Sequence, residues 1–214
     1  MNSTFKTRLR VSARIIAAFT LLATTSLAQE ANPADNGFRV TSKTFTNDSI
    51  LPLSTINNIP VNGVNSCSLN GAPGGNKSPE LSWTGTPPGT QTFVVVLYDV
   101  TAAFTHWGMY NISGSANGLP QNAGVAGSPY GPQILNDFEA AEEYDGPCPP
   151  ANVAPYVHQY VFTVYALNIE LELPGSANFP ANAETYRALI AAGRWQHILA
   201  SASLTGFYST TPSN

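Results

Sequence analysis

The chain has 214 residues, nine Lys and Arg against 13 Asp and Glu, and a formal net charge of −4. That length suits one domain around a single sizeable core. An acidic balance with no basic run repels phosphate backbones and anionic lipid surfaces, which argues against nucleic acid and against stable membrane docking.

Residues 1–28 read as a secretory signal peptide. Lys6, Arg8, Arg10 and Arg14 precede the apolar segment Ile15 to Leu27, and Ser26-Leu27-Ala28 supplies small residues for cleavage after Ala28. The apolar segment is shorter than the roughly 20 residues a spanning helix needs, and no later stretch could cross a bilayer, so no stable membrane insertion is expected after cleavage. Cleavage removes four of the nine basic residues and no acidic one. Arg39, Lys43, Lys77, Arg187 and Arg194 then face 13 acids, so the net charge falls to −8. The expected location is secreted or periplasmic.

Residues 29–36, Gln-Glu-Ala-Asn-Pro-Ala-Asp-Asn, read as a flexible tail. Phe38 to Phe45 has apolar residues at 38, 40 and 45 with polar ones between, a partial strand alternation. Asn57 to Gly75 is rich in Asn, Gly, Ser and Pro and reads as loop. Phe93-Val94-Val95-Val96-Leu97-Tyr98 is a continuous apolar run, the pattern of a strand buried on both faces, and Trp107 to Ile112 and Val161 to Leu167 read similarly. Pro87-Pro88-Gly89 and Pro129-Tyr130-Gly131-Pro132 punctuate between them. From Asn182 the period changes. Tyr186, Leu189, Ile190, Trp195, Ile198, Leu199 and Ala202 recur at three and four residues, predicting two short helices parted by Gly193. Strands divided by Pro- and Gly-rich loops, with helices only near the end, predict a mainly β chain: an antiparallel β-sandwich with short peripheral helices near the C-terminus.

The exported chain keeps two cysteines, Cys67 and Cys148. An even count in an oxidising compartment predicts one bridge, which would close a loop of about 80 residues and stabilise the fold by about 4 kcal/mol in the chain-entropy view. The rival reading, a reactive Cys148 thiol, needs a nearby cation that its proline neighbours do not supply.

Tyr144-Asp145-Gly146-Pro147-Cys148-Pro149-Pro150 forms a rigid turn. His158-Gln159-Tyr160 follows at the head of an apolar strand. Upstream, Asp99 ends another apolar strand, with His106-Trp107 a short connection later. In that order these pieces resemble the phosphatidylethanolamine-binding protein family, in its bacterial Raf-kinase-inhibitor-like branch. Gly75-Asn76-Lys77-Ser78-Pro79-Glu80-Leu81-Ser82-Trp83 and the ending Ile198 to Tyr208 fit the same pattern. The resemblance runs from about residue 37 to 209, so residues 37–214 are assigned as the family's domain.

The resemblance implies a small anion pocket for phosphate esters such as phosphorylethanolamine, built by Asp99, His106, Gly146, Pro147, His158 and Tyr160. Two imidazoles and a phenol offer three donors toward an oxyanion, with Asp99 orienting an imidazole and backbone amides of the Gly146 turn adding contacts. Such a pocket works at short range and needs no basic surface. Two positions depart from the family pattern. The usual Asp-Pro-Asp-Ala-Pro is Asp99-Val100-Thr101-Ala102-Ala103 here, which makes the rim less acidic and more mobile, and the Arg that commonly follows the strand histidine is Gln159. His197 reads as structural, and Trp107 and Tyr165 as core.

No enzyme signature is present. Gly127-Ser128-Pro129-Tyr130-Gly131 is not a nucleophile elbow, the histidines and cysteines lack zinc spacing, and no phosphate-binding or dinucleotide glycine pattern occurs. The expectation is a non-catalytic binding module with no cofactor and no metal, whose partner is a small phosphorylated or other anionic ligand. The alternative is an inhibitor acting through surface loops on a peptidase or another extracytoplasmic partner.

Overall fold

The computed structural model describes residues 37–138, 142–173 and 197–212. The expected signal peptide, the tail over 29–36 and the helical pattern from Asn182 to Gln196 lie outside these residues. In chain order the strands are β1 (Arg39–Thr41), β2 (Ser49–Ile50), β3 (Pro60–Val61), β4 (Val64–Asn65), β5 (Leu81–Thr84), β6 (Thr92–Asp99), β7 (Phe104–Ser113), β8 (Gly118–Leu119), β9 (His158–Leu167) and β10 (Ile198–Tyr208), with a 3₁₀ turn at Leu53–Thr55. They form a five-stranded sheet in the order β2-β10-β9-β6-β7, a three-stranded sheet β1-β5-β8, and the short β3-β4 pair. The large sheet is antiparallel except where β2 runs parallel to β10.

The continuous apolar run of β6 is buried along both faces, as its composition requires. On one face Phe93 packs against Trp83 of β5 at 4.9 Å and against Phe38 at 6.0 Å, joining the two sheets. Burying each such aromatic side chain is worth about 2–3 kcal/mol. Val94 and Val96 point the other way, toward Ile134, Leu167 and Leu171. The expectation of burial on both faces fails for β9, which alternates: His158, Tyr160, Phe162, Val164 and Ala166 are buried while Gln159, Val161, Thr163 and Tyr165 are half-exposed. Gln159 and Thr163 interrupt the apolar surface of that second face.

The helical expectation fails as well. Ile198, Leu199 and Ala202, predicted helical, lie on β10, which pairs antiparallel with β9 from Ile198↔Leu167 to Tyr208↔His158. A short apolar run fits both periods, and here the long ladder with β9 decides. His197 sits in the turn before β10, with its Nδ1 2.9 Å from Asn168 Oδ1. The loop expected over Asn57 to Gly75 also carries the β3-β4 hairpin.

Cys67 and Cys148 are disulfide-bonded across a sequence separation of 81 residues, and no free cysteine is present. The bridge ties the proline-rich turn to the loop after β4. In that turn, a Cβ on Gly146 would lie 2.1 Å from the Thr55 carbonyl oxygen, so no larger residue fits without moving backbone. The Gly146 N–H donates to Asn76 Oδ1 at 2.7 Å, and the Asn57 N–H donates to the Pro147 carbonyl at 3.1 Å.

Candidate functional site

Strand register brings the polar residues together. Asp99, the last residue of β6, pairs with Tyr160 on β9 and with Phe104 on β7. His158 lies two residues before Tyr160 and therefore on the same face. On β7 the register slips: Leu97 pairs with Trp107 and Tyr98 with Thr105, which leaves His106 as the extra residue of a β-bulge. A bulge re-aims one side chain, and this one turns His106 onto the face of Tyr160. The rings of His106 and Tyr160 are 5.4 Å apart, and those of His158 and Tyr160 6.3 Å.

These residues line a cavity of about 200 Å³ with Phe104, Phe138 and the Cys148-Pro149-Pro150 segment. Of the six residues expected in the pocket, Asp99, His106, His158 and Tyr160 converge on it. Gly146 and Pro147 do not line it. They sit behind the wall, packed on the Thr55–Asn57 backbone, and their role is to hold the turn. A larger groove of about 1010 Å³ runs past Ile50, Leu53, Leu69, Tyr156 and Val157, but it gathers no imidazole or carboxylate. Size alone does not select a site; convergent polar groups do.

Each polar group has a defined partner or a defined lack of one. The Asp99 Oδ1 atom accepts the backbone N–H groups of Thr101 and Ala102 at 2.9 and 3.0 Å, an Asx turn closing the end of β6. Its Oδ2 lies 2.7 Å from His158 Nδ1. His106 is held by backbone: its Nδ1 is 2.9 Å from the Asp145 carbonyl oxygen, and the Asp145 N–H donates to the His106 carbonyl at 3.2 Å. Phe104, Phe138 and Tyr160 surround its ring at 4.9, 5.5 and 5.4 Å. Burial lowers its pKa to about 4, against the opposing pull of the Asp145 carbonyl and of the Asp99, Asp145 and Asp137 carboxylates. The Tyr160 hydroxyl is buried and makes no hydrogen bond of normal geometry; desolvation first, then the charge and weak hydrogen bonding of Asp99, raises its pKa.

This corrects the expectation of three donors. A carbonyl oxygen can only accept, so the His106 proton sits on Nδ1 and its Nε2 carries a lone pair. His106 therefore presents an acceptor at Nε2, and Tyr160 keeps a hydroxyl donor beside Asp99.

Residues 41–209 match the family model for phosphatidylethanolamine-binding protein. The chain belongs to the phosphatidylethanolamine-binding protein family. Among relatives of this family, it is 35% identical to the UPF0098 protein YbhB of Escherichia coli over 65% of this chain and 85% of that one. It is 33% identical to a Mycobacterium tuberculosis relative named as a lipoprotein, LppC, over 49% of this chain and 50% of that one. The crystal structure of E. coli YbcL, described as a member of the mammalian family, superposes with a TM-score of 0.64 at 29% identity, covering 80% of this chain and 98% of that one. A family homologue from Chlamydia trachomatis, CT736, gives a TM-score of 0.58 at 26% identity, with 80% and 97% covered.

Where this family member departs from the pattern, other contacts hold the turn. Thr101, in place of an acidic residue, accepts the Gln159 N–H on its hydroxyl at 2.9 Å, and the Val100 N–H donates to the Gln159 carbonyl at 3.0 Å. With the two amides on Asp99, these bonds tie down a rim that lacks the usual prolines.

Sequence reasoning missed the supports. Asp145 is buried, its carboxylate held by Asn57 Nδ2 at 3.3 Å and Asn136 Nδ2 at 2.8 Å, while its backbone fixes His106. Phe104 and Phe138 pack on each other at 4.8 Å and wall the cavity. Phe104, two residues before His106, was legible as a neighbour on the same face; Asn57, Asn136 and Phe138 carried no local signal. Among the described residues no group of three or more His, Cys, Asp and Glu side chains is arranged to hold a metal ion.

Proposed function

We propose that this protein is a secreted or periplasmic, non-catalytic binding module whose pocket takes a small anion, in particular a phosphate-ester headgroup. The observation that carries the reading is the convergence of His106, His158, Tyr160 and Asp99 on one cavity of about 200 Å³, room for a phosphoryl group with a short substituent. A buried hydroxyl without a hydrogen bond of normal geometry is costly to keep, at about 1–3 kcal/mol, and a ligand oxygen would satisfy it. Membership of a family of binding proteins supports a binding role over a catalytic one. Export is supported by the disulfide, which persists in oxidising compartments, and by the lipoprotein name of the mycobacterial relative. No helix among the described residues is long and apolar enough to cross a membrane.

Calorimetric titration with phosphorylethanolamine tests this. Saturable binding to the parent protein and none to His158→Ala is the expected result. Equal binding by both would end the assignment of the pocket.

A further inference from the structure

We propose that the pocket selects a phosphoryl group still carrying a proton, the monoanion of a phosphomonoester, over anions that carry none, such as sulfate and phosphodiesters. This rests on the anion-pocket reading and adds the protonation state and chemical class of the ligand.

The argument follows from where the protein's own protons are held. The Asp145 carbonyl fixes the His106 proton on Nδ1 at 2.9 Å, and the Asp99 carboxylate draws the His158 proton to Nδ1 at 2.7 Å. The neutral His106 ring therefore offers an Nε2 lone pair, and neither imidazole's Nε2 has a hydrogen-bond partner among the described residues. Among the cavity-lining residues, Tyr160 presents an O–H that makes no hydrogen bond of normal geometry and lies beside Asp99. No Lys or Arg lines the cavity. The charged groups around His106 are the carboxylates of Asp99, Asp137 and Asp145, with Tyr160 and, beyond it, His158 as the other titratable side chains on the cavity.

A proton-free anion entering this site meets the His106 lone pair and the Asp99 carboxylate, with Tyr160 as a donor. An anion with a P–OH group donates that proton to His106 Nε2 and accepts the Tyr160 O–H on another oxygen. The His106 acceptor persists across ordinary pH because burial keeps its ring neutral down to about pH 4.

Titration calorimetry on the whole exported protein tests this with phosphorylethanolamine, inorganic phosphate, sulfate and dimethyl phosphate, the last standing for a lipid diester. Because the second pKa of a phosphomonoester is about 6, phosphorylethanolamine affinity should fall about tenfold per pH unit above that point. Sulfate and dimethyl phosphate should bind at least about tenfold more weakly than the monoester near pH 6, since neither has a proton to give. Monoester affinity that is flat or rises from pH 6 to 8, or sulfate binding as tightly as phosphate, overturns the proton requirement and leaves an anion pocket standing. Failure of all four probes to bind at any pH removes both readings.

Discussion

His106 and Asp145 exchange hydrogen bonds in both directions: the imidazole Nδ1 lies 2.9 Å from the Asp145 carbonyl oxygen, and the Asp145 N–H donates to the His106 carbonyl at 3.2 Å. The first contact fixes the tautomer of a buried ring, and the second locks the proline-rich turn to the β-bulge. The wall of the pocket and its acceptor are thus one structural unit.

That unit makes stability depend on pH. The His106 pKa is lowered to about 4 in the folded protein against 6.5 for a free imidazole, so between those values the unfolded chain takes up a proton that the folded one refuses. The contribution is complete above pH 6.5 and is lost as pH falls toward 4, by about 3 kcal/mol in total. Urea unfolding of the parent at a series of pH values between these limits should show a steeper loss than His106→Gln, which does not titrate. Parallel curves would mean that His106 is protonated equally in both states.

Asp99 supports the fold as well as the pocket. Its Oδ1 holds two backbone amides and its Oδ2 holds His158, so Asp99→Ala leaves three donors without their acceptor. We expect a loss of about 3 kcal/mol, well beyond the cost of removing an exposed carboxylate. A urea midpoint within error of the parent's would contradict this.

Gly146 should tolerate no side chain. A Cβ there would lie 2.1 Å from the Thr55 carbonyl oxygen and 2.8 Å from the Asn57 nitrogen, both backbone atoms. The Gly146→Ala protein is expected to lose about 1–3 kcal/mol and to bind phosphorylethanolamine more weakly as the turn shifts. Unchanged stability in denaturant would show that the turn has room to move.

The disulfide is expected to serve both stability and binding, because Cys148 lines the cavity while Cys67 anchors it from the loop after β4. Replacing both cysteines by serine should cost about 4 kcal/mol, the chain-entropy value for a loop of this length. Binding should weaken in the same variant. Reductant added to the parent protein during thermal unfolding should lower its midpoint likewise, and a midpoint insensitive to reductant would argue against the bridge.

Much of this protein was legible in its residues. The apolar runs at 93–98, 107–112 and 161–167 mark core strands, though only the first is buried along both faces, and the ordered polar motifs around them identify the family. The strand at 198–208 was misread in its first turn, since Ile198, Leu199 and Ala202 satisfy a helical spacing as well as an extended one. Local pattern cannot weigh a ladder with β9, whose hydrogen bonds come from residues some 40 positions away in the chain.

Side-chain chemistry was set by the sequence: two imidazoles, a phenol and a carboxylate, spaced so that strand ends could gather them. Which nitrogen of His106 carries the proton was decided by tertiary structure alone. A one-residue slip between β6 and β7 aims that ring, and a carbonyl 39 residues away holds its hydrogen, because register and long-range backbone contacts exist only once the sheet has assembled.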